Sequence, residues 1–196
     1  MQCRNYLEAV GFIVGERSKV IDFVYAAMFA AVTAVLGFVS IPLPFSPVPV
    51  SGQSLGIMLA GSILTARQAA FSVLTFVLIG AAGVPVFSGM TGGLGVVLGP
   101  RGGYYLGFFV GAIVITLLRG QNNNLWRLIP ANLAGGIVVV YIFGVAWLSH
   151  VTGMGLEKAL MAGALPFIPG DLLKVFAASF IGAAVNKRLQ KAVSRP

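Results

Sequence analysis

The chain has 196 residues, 58% of them hydrophobic and only 9% charged, with a formal net charge of +8. A soluble domain averages about 25% charged residues, so a soluble fold is nearly excluded, and disorder is excluded because it needs low hydrophobicity. The solvent that remains is lipid, and spans of about 20 residues each limit the chain to six or seven crossings, with no room for a soluble catalytic domain.

The N-terminal stretch contains Glu8 and Glu16 and has no compact apolar core followed by a cleavage site. It reads as a short cytoplasmic arm, residues 1–21, and not as a signal peptide. Cys3 is the single cysteine, so no internal disulfide and no metal or redox role is expected. Six apolar stretches follow: Asp22 to Ser40, Gly52 to Leu64 (short for a full span), Gln68 to Pro85, Gly102 to Leu118, Leu128 to Ser149, and Pro166 to Asn186. Backbone polar groups in lipid must be satisfied within the segment, which predicts helices. Residues 22–186 then form one six-helix transmembrane domain, and 187–196 a basic cytoplasmic tail.

Orientation follows from the basic residues. With the N-terminus in the cytoplasm, that side holds Arg4, Arg17, Lys19, Arg67, Arg119, Arg127, Lys187, Arg188, Lys191 and Arg195, and the outer side holds only Arg101 and Lys158. This positive-inside bias predicts six spans with both termini cytoplasmic. It also explains the net charge without nucleic acid. Asn122 to Asn124 read as a polar cytoplasmic turn, and His150 as an interfacial residue.

Two outer connections are unusual. Ile41 to Ser51 carries Pro42, Pro44, Pro47 and Pro49, a density that prevents a helix and favours extended backbone. Gly83 to Gly103 holds eight glycines, Gly92 and Gly93 among them, interleaved with apolar residues such as Phe87. Apolar non-helical backbone beside a membrane is tolerated where protein buries it or where it lines a cavity. A re-entrant segment in the outer mouth is therefore expected, against the alternative of an ordinary surface loop.

Small residues recur at spacing four: Ala26, Ala30 and Ala34 with Ala27 and Ala31 beside them, then Gly52, Gly56 and Ala60, then Gly99, Gly103, Gly107 and Gly111. Such rows let helix backbones approach closely. Internal packing accounts for most of them, and the first is a weaker candidate for docking a second membrane protein.

Ionisable residues are almost absent from the spans. Asp22 can reach the cytoplasmic interface, but Asp171 and Lys174 lie inside the last stretch, three residues apart on one helix face. They could be a self-neutralising pair that only eases burial. A ligand site is the stronger reading, because Pro166 and Pro169 hold the pair near the outer end, where both odd loops converge. Gln53, Ser88, Thr91 and Tyr104 lie at the same level as further polar candidates. Arg101 could attract an anion to the mouth or simply sit at the interface. No GxxxxGK[ST], HExxH, CxxC or cluster of intramembrane carboxylates occurs, which argues against a nucleotide-binding chain, a membrane hydrolase or an ion-coupled transporter. Neither an enzymatic activity nor a cofactor or metal is expected.

The segments PLPFSPVPVSGQSLGIMLAG, GVPVFSGMTGGLGVVLGPRGGYYLGF and IPGDLLK, in this order, resemble the BioY family of biotin transporters. These are substrate-capture (S) components of energy-coupling factor (ECF) transporters, and the resemblance runs from about Asp22 to Asn186. It implies six helices in a bacterial-type cytoplasmic membrane, a biotin pocket near the outer face, and partnership with a transmembrane coupling subunit and two ATPase subunits. It implies pocket roles for Asp171 and Lys174, and a docking role for Ala26, Ala27, Ala30, Ala31 and Ala34. Arg101 departs from the family pattern, which more often has a small hydroxyl residue there. Biotin suits the residues: an aspartate can accept ureido N–H bonds, a lysine can pair with the valerate carboxylate, and Phe45, Phe87 and Tyr104 could enclose the apolar body. An S component for another vitamin, or a membrane scaffold, would share the architecture.

Overall fold

The computed structural model describes the backbone of residues 2–120 and 124–193, and the side chains of residues 20–120 and 124–191. The side chains of Cys3, Glu8 and Glu16, the Asn122–Asn123 part of the polar turn, and the last three residues of the basic tail lie outside the described residues.

Helices run along nearly the whole chain. They are α1 (Gln2–Phe38), α2 (Gln53–Ile63), α3 (Ala66–Ala81), the short α4 (Leu94–Leu98), α5 (Gly102–Arg119), α6 (Leu125–Leu133), α7 (Val140–Thr152), α8 (Leu156–Gly163) and α9 (Ile168–Val193). A π-helical turn, Ala134–Val139, joins α6 to α7 without a break. Each expected apolar stretch is an apolar helix. Among the described residues four helices are long and apolar enough to cross a bilayer: Val20–Phe38, Gly102–Arg119, Leu125–Thr152 and Ile168–Lys191. The helices Gln53–Ile63 and Ala66–Ala81 are shorter. At 1.5 Å per residue they reach only about 16 and 24 Å, less than the hydrocarbon core of about 30 Å. Large apolar side chains remain exposed on the outside, among them Val35, Leu117 and Leu173. That pattern suits lipid and would be a liability in water.

The glycine rows are seams between helices. On α5, a Cβ at Gly103 would lie 2.2 Å from Trp147 Cβ, one at Gly107 2.8 Å from Val140 Cα, and one at Gly111 2.4 Å from the Gly135 carbonyl oxygen. The row therefore lets α5 press against the π-turn and α7. Gly56 does the same for α2 against Thr33 of α1, and Gly182 for α9 against Ser62 of α2. On α1, Ala26 and Ala30 are buried while Ala27 and Ala31 are exposed. Ala27, Ala30, Ala31 and Ala34 line a shallow apolar groove with Thr75, Phe76 and Ile79 of α3.

Helix ends have identifiable partners. Thr65 caps α3 in a reciprocal capping box with Gln68, and Gln68 Nε2 also donates to Asp22 Oδ1 at 2.6 Å. Arg119, expected only to set orientation, is buried and donates to the carbonyls of Gly61, Ile63 and Leu64 at the C-terminus of α2. Asn132 is fully buried and donates to Ser62 and Ser179, tying α6 to α2 and α9.

The two unusual connections lie together at one end of the bundle, called here the loop end. The proline segment leaves and returns through a two-residue antiparallel ladder, β1 (Ser40–Ile41) with β2 (Val50–Ser51). The glycine segment folds back onto the bundle and is not wholly irregular, because it contains α4. Phe87 anchors it: its ring is fully buried, stacked on Tyr105 at 4.4 Å and edge-on to Phe76 at 5.5 Å. Gly80 makes room for that ring, since a Cβ there would lie 2.2 Å from it.

Candidate ligand-binding site

The last helix starts immediately after Phe167, and Asp171 lies in its first turn. Its carboxylate faces α2 and α7. Oδ1 accepts from Ser54 Oγ at 3.0 Å and from Lys174 Nζ at 2.8 Å, and Oδ2 accepts from the Tyr141 hydroxyl at 2.5 Å. Asp171 is only 5% exposed. A buried carboxylate is tolerable when paired and hydrogen-bonded, and the three donors supply this. An ionised carboxylate offers about four acceptor directions, which leaves one more for a ligand.

Lys174 is also fully engaged. Its ammonium has three N–H groups, which meet the Ser51 carbonyl at 2.7 Å, Ser54 Oγ at 3.0 Å and Asp171 Oδ1 at 2.8 Å. The sequence offered two uses for the pair, mutual neutralisation or separate ligand contacts, and the structure contains the ion pair. Lys174 also fixes the end of β2 and orients Asp171, so it has no proton left for a ligand carboxylate unless one of these bonds breaks.

These groups form part of the wall of a small cavity at the loop end. Its lining includes Val48, Pro49, Ser51, Gln53, Ser54, Ser88, Arg101, Tyr104, Tyr105, Phe108, Tyr141, Phe167, Asp171 and Lys174. Of the residues picked from the sequence, Asp171, Lys174, Gln53, Ser88 and Tyr104 converge there. Gln53 Nε2 donates to the Val86 carbonyl at 3.2 Å, holding the glycine segment to α2. The Tyr104 hydroxyl donates to the Gly163 carbonyl at 2.7 Å, holding α8 to α5.

Phe45, Phe87, Thr91, Gly92 and Gly93 do not line it. Phe45 projects outward and is 63% exposed. Phe87 points behind the wall into the core, and Tyr105, Phe108 and Phe167 supply the apolar surface in its place. Thr91 Oγ1 donates to the Ser88 carbonyl. Gly92 is a close approach to the Val84 carbonyl, and Gly93 sits at φ +101° with its N–H on the Gly80 carbonyl. A left-handed φ favours glycine, so these two shape the fold of the segment.

Arg101 joins the two loops. Its Nε donates to the Pro47 carbonyl at 3.4 Å, and its Nη1 to the Ser88 carbonyl at 3.1 Å and Thr91 Oγ1 at 3.4 Å. These bonds are long for a guanidinium. Arg101 thus has cavity on one side and a bridge between the proline and glycine segments on the other. Among the described residues no group of three His, Cys, Asp or Glu could hold a metal ion.

A match to the BioY family covers residues 10–191. The chain belongs to the BioY family. It is 42% identical over 173 residues to the biotin transporter BioY of Rhizobium etli, covering 84% of this chain and 92% of that one. It is 36% identical over 167 residues to the biotin transporter BioY of Thermotoga maritima, covering 85% and 96%. Among solved structures, it resembles the S-component for biotin of an ECF-type ABC transporter with a TM-score of 0.80 and 32% identity, covering 87% of this chain and 93% of that one. Its relatives in the family are named biotin transporters.

Proposed function

We propose that this chain captures biotin at the outer face of a bacterial-type cytoplasmic membrane, as the S component of an ECF-type vitamin transporter. The observation that carries this is the Asp171 carboxylate, held by Ser54, Lys174 and Tyr141 beneath two apolar loops, in a BioY chain whose relatives are named biotin transporters. All six apolar helices cross the membrane, the two short ones spanning where the loops fold inward. Ten cytoplasmic Lys and Arg against two outside put both termini in the cytoplasm and the loop end outward. Residues 1–21 are then a cytoplasmic arm, 22–186 the six-helix domain and 187–196 a basic tail, and lipid covers the exposed apolar sides.

In this reading Asp171 accepts a ureido N–H through the free direction of Oδ2, while Tyr105, Phe108 and Phe167 pack on the ring system. Lys174 orients Asp171, and Arg101 is the cation placed to meet the valerate carboxylate in a charge-assisted pair through Nη2, keeping its Nε and Nη1 bonds to the two loops. The cavity volume of about 50 Å³ is well below the roughly 300 Å³ at the lower end of ligand pockets. Entry therefore requires the loops to part, and Arg101 closes them again over the ligand.

As the family resemblance implies, uptake is energised through a transmembrane coupling subunit and two ATPase subunits, with the exposed groove around Ala27, Ala31 and Ala34 as the docking face. Membranes containing this chain should retain radiolabelled biotin in the absence of nucleotide, and thiamine and riboflavin should not displace it. Retention no greater than in control membranes, or displacement by another vitamin at lower concentration than by biotin, would overturn the proposal.

A further inference from the structure

The span Leu125–Thr152 places two polar residues toward the same neighbour although an α-helix would not. Asn132 donates to Ser179 of α9, and Tyr141 donates to Asp171 of α9. They are nine positions apart, and at about 100° per residue an uninterrupted α-helix would put them on opposite faces. The π-turn Ala134–Val139 lies between them and absorbs one extra residue, so the second half of the span lags by about 100°. Without that lag Tyr141 would take the direction now held by Ile142, which is 61% exposed. Val140 would then face Asp171, a valine against a buried carboxylate. The glycines in the turn are required by its packing. A Cβ at Gly135 would lie 2.5 Å from the Gly111 carbonyl oxygen, and one at Gly136 2.6 Å from Met58 Cε.

We propose that this π-turn is a register device that delivers Tyr141 to the ligand site, and that Tyr141 is a positioning residue for Asp171. The phenol occupies one direction of Oδ2 and fixes the rotation of the carboxylate. The remaining acceptor direction then meets a single N–H donor of the ligand. This deepens the proposed biotin reading and rests on it for the identity of that donor, but the contact itself needs no ligand.

Two measurements test it. Ultraviolet resonance Raman difference spectra, wild type minus Y141F, report the hydrogen-bonding state of this one phenol in the ligand-free protein. A strong donor signature that changes in D171N is expected, and a signature indifferent to D171N would overturn the proposal whatever the ligand is. Biotin binding to purified, folded Y141F should weaken about tenfold, and unchanged affinity would remove Tyr141 from the site. Deleting Val138, which is half exposed within the turn, should convert it to α-helix and leave Tyr141 facing Asp171, with affinity within about threefold of wild type. If the span were a regular helix, the deletion would swing Tyr141 away, so a folded variant without binding would refute the register device. Failure of wild type to bind biotin would refute the biotin reading alone, because the Raman test stands without it.

Discussion

Lys174 has three donors and three protein acceptors, so its contribution to binding should pass through Asp171. D171N keeps the shape of the side chain but removes its charge and turns one acceptor into a donor facing other donors. Hydrogen bonds to charged groups are worth about 1.5–3 kcal/mol. At about 1.4 kcal/mol per tenfold, a loss near 2 kcal/mol predicts about thirtyfold weaker biotin binding. K174A removes one of the three donors that orient Asp171 and frees Ser54 to rotate, and a similar loss follows. Independent contacts would make the double variant about a thousandfold weaker. Groups acting as one network couple by about 0.5–3 kcal/mol, so D171N/K174A should bind little worse than either single variant. Equilibrium competition against radiolabelled biotin in nanodiscs measures all four proteins of the cycle. Additive losses would show that Lys174 meets the ligand by itself rather than through Asp171.

Other positions give sharper separations between folding, binding and coupling. R101A should release biotin about tenfold faster, seen by chase with unlabelled ligand, because the bridge from Pro47 to Ser88 and Thr91 is lost; an unchanged off-rate would contradict its role in closure. G80A must displace the Phe87 ring and should cost about 1–3 kcal/mol, read as a lower melting temperature together with weaker biotin retention. R119M leaves the carbonyls of Gly61, Ile63 and Leu64 without these donors and should lower stability by roughly 3 kcal/mol, while folded protein still binds biotin normally. A31W fills the exposed groove on α1 and should abolish energised uptake while leaving affinity within about twofold; normal uptake in cells carrying the coupling module would remove this face as the docking surface.

Much of the bundle was legible because hydrophobicity and glycine spacing are strong signals in lipid. The six apolar stretches became helices, and the row Gly103, Gly107 and Gly111 became the seam between α5 and α7. Asp171 and Lys174 were legible by elimination, as charges deep in the last span with no topological reason. The rest of the site was not, for particular reasons. Ser54 looks like any small helix residue, and only its spacing with Ser62, along the stripe through Met58, hints that this side of α2 is polar. Tyr141 was hidden by the π-turn, since helical periodicity assigns it to the face opposite Asn132. In sequence, an aromatic among glycines such as Phe87 reads equally well as a pocket wall and as an anchor, and the structure buries its ring against Tyr105 and Phe76. Only the ring-sized gap at Gly80 distinguishes the two. Arg119 looked like a topology signal because sequence does not reveal which carbonyls at the end of α2 need a donor.

In the proposed function one chain, alone, is the biotin-binding unit. Isothermal titration of the purified wild-type protein with biotin in lipid nanodiscs, without nucleotide or partner subunits, tests this most directly. Saturable binding of one biotin per chain is expected, with the titration greatly flattened in D171N. No saturable heat from a folded preparation, or equal binding by wild type and D171N, would contradict it.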